Sequence, residues 1–438
     1  MQELGQMLTI LTSDPSDKSA RHKAGDSTAM PSRDPPTRPA DTLATRMVPP
    51  SRPVRVAIDV GPLHGQRTGI GHAVAGMVGA LSAADGDRVA LMPYVTSTRA
   101  DREPSQRRLP IPAAAAIRLW SRESAPTIDR WLGRPDLVHG TNYVVPPTRC
   151  PSVVSVYDCW FLEHPRDVDA DVRRAAAVLR RAVSNGAHVV TSSAATTVRV
   201  RELLATDQVH TIHLGPPPVP TIPQDDRPAS LPDLGSGPFI LALGTIERRK
   251  NLPTLVAAFG RLAAEHEQVK LVIAGNPGND IPALDRAINR LATNAANRVV
   301  LLGPVSEVEK TWLIASARTL AYPSLDEGFG FPILEAQQLG TPVVASTAGS
   351  IPEIAGAAAL LSAPVDSEAL AANLYWVVNS DDMHAKLVRR GRANLQRFTW
   401  ASTADRLIQL YQTLVDDSGL DQHRLDQPGL DRSERDGT

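Results

Sequence analysis

Glu327 and Glu335 bracket the chemically richest stretch of the sequence, Tyr322-Pro-Ser-Leu-Asp-Glu-Gly-Phe-Gly-Phe-Pro-Ile-Leu-Glu335. Pro332 stands where a helix should start, because proline has no amide hydrogen to lose in the first turn and its φ is preset for it. The amides around it then converge as a helix N-terminus, a setting that favours an anion such as a diphosphate. Gly328 and Gly330 let backbone approach a ligand closely. Carboxylates beside a phosphate site repel the phosphate, so the two glutamates read better as acceptors for the hydroxyls of a sugar and a ribose. Spacing alone fits equally well a glycine-rich strand-to-helix turn carrying two solvated glutamates.

A second charged group lies upstream. In Glu-Arg-Arg-Lys-Asn, Arg249 and Lys250 follow a strand-like run and the glycine turn at Gly244. Cations at a helix start oppose its dipole, so a bound anion explains them better than a solvated basic cluster does. Three further positions at strand ends carry polar chemistry: His139, Tyr157 and Asp158. His139 reads as either an acceptor ligand or a buried structural histidine. Thr68-Gly-Ile-Gly-His72 follows the first strand and precedes a helical run, but Gly69, Gly71 and Gly76 do not make a G-x-G-x-x-G, and a tight turn is an equally good reading. Arg173, Arg174, Arg180 and Arg181 fall on one helical face, which suits either a solvated surface or an anionic lipid head group. The stretch ending at Trp131 mixes apolar and basic residues and stays open as an acceptor-side candidate.

Elements able to hold these residues follow from composition. A chain of 438 residues exceeds one ordinary core and predicts two domains. A net charge of -1 gives no reason to expect a nucleic-acid partner. Cys150 and Cys159 form neither a disulfide framework nor a C-x-x-C metal pattern, and no metal site is expected. Nothing approaches a membrane-spanning run or an apolar leader, so a cytoplasmic protein is expected, with peripheral contact at the inner face of the membrane left open. Residues 1–53 are polar and unpatterned and are expected to be disordered, with Met47 an alternative start; residues 416–438 read the same way. Between them β-branched runs alternate with helical stretches, the pattern of parallel-sheet α/β domains. The Pro-rich segment 216–237 divides a first domain, 54–215, from a second, 238–397. Two doubly wound domains joined in this way face a cleft at the C-terminal ends of both sheets. Residues 398–415 place Ala401, Ala404, Leu407, Ile408, Leu410, Tyr411 and Leu414 at helical spacing.

Glu327 to Glu335 resembles the E-x7-E signature of the retaining GT-B glycosyltransferases of family 4, which include bacterial mannosyl- and glucosyltransferases. Leu241 to Phe259, the run from Val305 through the Glu335 loop to Ser346, and Gly349 to Leu361 resemble the family in order and spacing. TGIGHAV, HGTNYVVPP and VYDCWFLEHP extend the similarity more weakly, to roughly residues 54 to 415. Arg248 stands where this branch usually has Pro, and Tyr157 where it has His.

The resemblance implies a GT-B fold of two Rossmann-like domains, the last helix crossing back to the first, and hexose transfer from a nucleotide sugar to a glycan or lipid-linked acceptor without a cofactor or metal. GDP-mannose is the favoured donor, then UDP-glucose. It assigns Arg249, Lys250 and Glu327 to catalysis, and Gly69, Gly71, Gly244, Gly328, Phe329, Gly330, Phe331 and Glu335 to the donor. His139, Tyr157 and Asp158 fall to the acceptor or donor sugar. The alternatives are a sugar-nucleotide epimerase of the same fold and a non-catalytic nucleotide-sugar-binding partner subunit.

Overall fold

The computed structural model describes residues 52–64, 68–84, 86–96, 104–166, 168–221 and 227–419. The expected N-terminal tail up to residue 51, the alternative start at Met47, the linker positions 222–226 and the tail from residue 420 lie outside the described residues.

Two parallel sheets organise the chain. The first holds β1 (Val54–Asp59), β2 (Val89–Val95), β3 (Arg107–Arg108), β4 (Leu137–Gly140), β5 (Ser152–Val156), β6 (His188–Thr191) and β7 (Val209–Thr211), in spatial order β3-β2-β1-β4-β5-β6-β7. The second holds β8 (Phe239–Leu243), β9 (Lys270–Ala274), β10 (Val299–Gly303), β11 (Thr319–Tyr322), β12 (Val343–Ser346) and β13 (Ala359–Ser362), in order β10-β9-β8-β11-β12-β13. β8 reads Phe-Ile-Leu-Ala-Leu and is buried at every position, as a strand covered by helices on both faces must be. In each sheet the direction of winding reverses beside its first strand, at β1 beside β4 and at β8 beside β11. Such reversals open a crevice at the strands' C-terminal ends, and functional side chains collect there.

Helices fill the faces through apolar stripes. In the helix Leu252–Glu265, Leu252, Leu255, Val256, Phe259, Leu262 and Ala263 are buried against the second sheet. The terminal helix, Trp400–Asp417, does the reverse of its position in sequence. Its Ala404, Leu407, Ile408, Tyr411 and Leu414 pack with Val56, Ile58, Met77 and Val153 of the first domain. Ala401, expected on this stripe, is exposed, because burial begins with Thr403 and Ala404 one turn on. The helix also runs two residues past the expected end at Val415.

Candidate functional site

The second domain supplies the charge. Past β8 the chain makes a short turn over Arg248–Lys250, and Asn251 adopts a left-handed conformation before the next helix. Its Nδ2 donates to the carbonyls of Pro323 at 3.0 Å and Pro364 at 2.6 Å, so the basic turn is tied to the loop that follows β11. Glu327 of that loop receives both cations: Lys250 Nζ lies 2.6 Å from Oε1 and Arg249 Nη1 lies 2.6 Å from Oε2. Ser324 Oγ donates to Oε1 at 2.7 Å. Lys250 also reaches the Tyr322 hydroxyl at 3.2 Å and sits 4.9 Å over its ring. Burial alone would push the Glu327 carboxyl up, but Arg249 and Lys250 pull it to about 2. Glu327 holds Arg249 above its ordinary value, whereas desolvation leaves Lys250 below its own despite Glu327. Arg248 is exposed and does not line the cleft, so Arg249 is the arginine that faces it.

Gly330, at φ 109°, turns the chain into the helix Phe331–Leu339, with Pro332 in the first turn. Glu335 is buried on this helix, and Lys310 Nζ lies 2.8 Å from its Oε1. Lys310 also lies 2.7 Å from Glu307, and Glu307 lies 3.5 Å from His72 of the first domain. Burial pulls Lys310 down, but Glu335 and Glu307 hold it above its ordinary value. The contact with His72 and the Lys310 ammonium bring Glu307 to about 2.

The first domain contributes a different surface. Thr68 caps the helix Gly69–Ala83, accepting from the Gly71 amide at 3.5 Å, so Gly69 and Gly71 lie in a helical first turn rather than in a loop. Tyr157 and Asp158 follow β5; Tyr143 donates to Asp158 Oδ2 at 3.1 Å, and the Trp160 amide donates to Oδ1 at 3.1 Å. At the end of β1, Asp59 accepts from the Gly61 amide at 2.9 Å, and burial pushes its carboxyl up to about 6. Together the two halves enclose a cavity of about 590 Å³ lined by both helix N-termini, Arg249, Lys250, Glu327, Glu335, Tyr157 and Asp158.

His139 is not part of this surface. It is fully buried between the Tyr411 hydroxyl at 2.6 Å and Ser155 Oγ at 2.9 Å, and burial pushes its imidazole down to about 3. Both ring nitrogens are thus engaged within the fold, one of them by the terminal helix. Gly328 meets the other domain rather than open space. A Cβ there would stand 1.5 Å from the Tyr157 carbonyl oxygen. The Gly328 carbonyl accepts from Ser193 at 2.8 Å and from Ser192 and Thr196 at 3.2 Å. Phe329 lines the cavity, yet its ring is buried with Ala73, Leu214 and Phe398, which braces the loop. Phe331 stands edge-on to it at 5.2 Å.

The arginine face on the helix Ala170–Ser184 is largely committed to local partners. Arg180 donates to the Leu203 carbonyl at 2.9 Å, Arg174 pairs with Asp171, and Arg173 donates to the Val168 carbonyl. Trp120, in the stretch before Trp131, is buried in the first domain's core instead of lining the cleft. Lys310, Glu307 and His72 are among the site residues that sequence reasoning left unassigned. The only signal for the first two was a Glu-x-x-Lys spacing common on helix surfaces.

Two Rossmann-like parallel-sheet domains meeting at a cleft between their switch points define the GT-B architecture. Residues 224–394 match the family described as glycosyl transferases group 1. The chain is 34% identical over 177 residues to the O-antigen chain mannosyltransferase B of Escherichia coli, covering 40% of this chain and 46% of that one. It is 29% identical over 182 residues to the phosphatidyl-myo-inositol mannosyltransferase of Mycolicibacterium smegmatis, covering 41% and 46%. The chain thus spans under half the length of these two relatives. Sucrose-phosphate synthase from Thermosynechococcus elongatus shares the fold, with a TM-score of 0.62 at 19% identity over 83% of this chain and 100% of that one. Among the described residues no helix is long and apolar enough to cross a membrane.

Proposed function

We propose that the protein is a retaining hexosyltransferase that moves a hexose from a nucleoside diphosphate sugar to a glycan or lipid-linked acceptor. The observation that carries this reading is the convergence of Arg249, Lys250 and the N-terminus of the helix Phe331–Leu339 on one cavity at a sheet's switch point. Relatives named as mannosyltransferases favour mannose, hence GDP-mannose first and UDP-glucose second.

As the bond from the sugar's anomeric carbon to the phosphate oxygen breaks, negative charge grows on the diphosphate. Arg249, Lys250 and the helix N-terminus are prearranged for that charge, so stabilising it requires little reorganisation. The acceptor oxygen forms the new bond on the same face, and its proton passes to the departing phosphate oxygen. Both oxygens of Glu327 are engaged by the cations. A diphosphate drawing Arg249 and Lys250 toward itself would release carboxylate lone pairs for a sugar hydroxyl. In this reading Glu335, which lines the cavity, accepts from the ribose, and Tyr157 and Asp158 serve the sugar or acceptor.

The test is turnover of a panel of nucleoside diphosphate sugars with a glycan or lipid-linked acceptor mixture, following nucleotide release and the anomeric configuration of the product. Release coupled to an α-linked product from an α-linked donor is expected. Epimerised nucleotide sugar, or tight binding without release from any donor, overturns the reading.

A further inference from the structure

Resting on the reading that Glu335 meets the ribose, we propose that Lys310 is a positioning residue that orients Glu335 for the ribose hydroxyls and, through Glu307, joins that subsite to His72 across the cleft.

Glu335 and Lys310 come from different helices, Phe331–Leu339 and Glu307–Ser316, and neither is near the other in sequence. The Glu335 side chain is only 7% exposed and that of Lys310 19%, and a charge so withdrawn from water is costly without a partner. They supply one another at 2.8 Å through Oε1. Glu335 still lines the cavity, so the carboxylate's remaining acceptor capacity is turned to whatever enters. An unpaired Glu335 could rotate away from the cavity, and the ion pair with Lys310 removes that freedom.

The same ammonium binds Glu307 at 2.7 Å, and Glu307 contacts His72 Nε2 at 3.5 Å. Glu307 is the first residue of its helix, and the turn before it is closed by a reciprocal cap in which Ser306 and Glu309 bond one another's backbone. That cap fixes the direction of Glu307 without using its side chain, which is left to meet the first domain. His72 sits in the first turn of the helix Gly69–Ala83, whose N-terminus also lines the cavity. Ordering the ribose subsite and holding the two domains together on this side of the cleft therefore share one cation, and hydrogen bonds in such a chain reinforce each other.

The experiment measures the affinity of a nucleoside diphosphate and of its 2′,3′-dideoxy analogue for the full chain as wild type, Lys310→Met, Lys310→Arg and Glu307→Gln. In the wild type, loss of the ribose hydroxyls should weaken binding by about tenfold or more, the scale of hydrogen bonds to a charged group. Lys310→Met should reduce this discrimination to within about threefold while the dideoxy analogue binds as it does to wild type, and Lys310→Arg should restore most of it. Glu307→Gln should keep the discrimination and raise the KM for the donor. Undiminished discrimination in a folded Lys310→Met overturns the proposal for Lys310. Equal affinity of the wild type for both nucleotides overturns the ribose assignment of Glu335 beneath it.

Discussion

Asp59 ends β1 and Glu327 lies in the loop after β11, each strand standing at its own sheet's switch point, and burial acts on both carboxyls in the same direction. They end far apart. Asp59, accepting from the Gly61 amide, is pushed up to about 6, whereas Glu327, between Arg249 and Lys250, is held at about 2. The first domain faces the cleft with Tyr143, Tyr157 and Asp158, and the second with the cation pair held by Glu327. The asymmetry points to a division of labour in which the second domain takes a polyanionic group and the first an uncharged, hydroxyl-bearing one.

Removing charge from the second domain is the severest way to disturb that division. Lys250→Ala should lower turnover by about two to three orders of magnitude, the usual scale for one lost electrostatic contact in a transition state. Steady-state kinetics on folded variant would show it, and near-normal turnover would break the comparison at its strongest point. Glu327→Gln leaves two half-buried cations short of an anion and should cost about 3 kcal/mol of stability in denaturant unfolding. Saturating nucleoside diphosphate should raise the melting temperature of this variant more than that of the wild type, because the phosphates replace the missing carboxylate.

Asp59 should behave in the opposite sense. Its folded value lies above the unfolded 3.8, so the ionised carboxylate opposes folding above about pH 6, and that penalty fades as pH falls toward 4. Asp59→Asn should therefore stabilise the protein by up to about 3 kcal/mol at neutral pH. Buried His139, held at about 3 against 6.5 when unfolded, contributes stability above pH 6.5 that is lost as pH drops. In the wild type these two slopes offset one another between pH 4 and 6. In Asp59→Asn the histidine's slope is no longer offset, and a melting-temperature profile should fall more steeply with acid than that of the wild type. A parallel pair of profiles would contradict the assignment. The smallest effect is expected from Asp158→Asn, which weakens one hydrogen bond from Tyr143 and should cost about 1 kcal/mol without changing nucleotide affinity.

Strands rich in β-branched residues and buried on both faces were legible from the sequence, as β5 and β12 illustrate. β3, β7 and β13 were not, since Arg107–Arg108, Val209–Thr211 and Ala359–Ser362 are short, lie toward sheet edges and carry too few residues to set a pattern. At the site, type and spacing singled out Arg249 and Lys250 as a cation pair but left Glu327 and Glu335 open between ligand acceptors and solvated side chains, and the family resemblance favoured the former. Their pairing was not visible. That Glu327 takes both cations follows from Asn251 binding two distant carbonyls, and Lys310 and His72 enter through helices brought together only by the fold. Gly328 was marked for a ligand, whereas the neighbour that excludes a side chain there is the backbone of Tyr157 in the opposite domain.

Calorimetric titration of one nucleoside diphosphate into three forms of the full chain tests the division of labour most directly: wild type, Arg249→Ala/Lys250→Ala, and Asp59→Asn/Asp158→Asn. Affinity should fall by at least about a hundredfold in the first double variant, two charge-assisted contacts being lost, and stay within about threefold of wild type in the second. Undiminished affinity without Arg249 and Lys250, or a comparable loss in the Asp59→Asn/Asp158→Asn protein, would contradict the claim that the second domain alone carries the anion site.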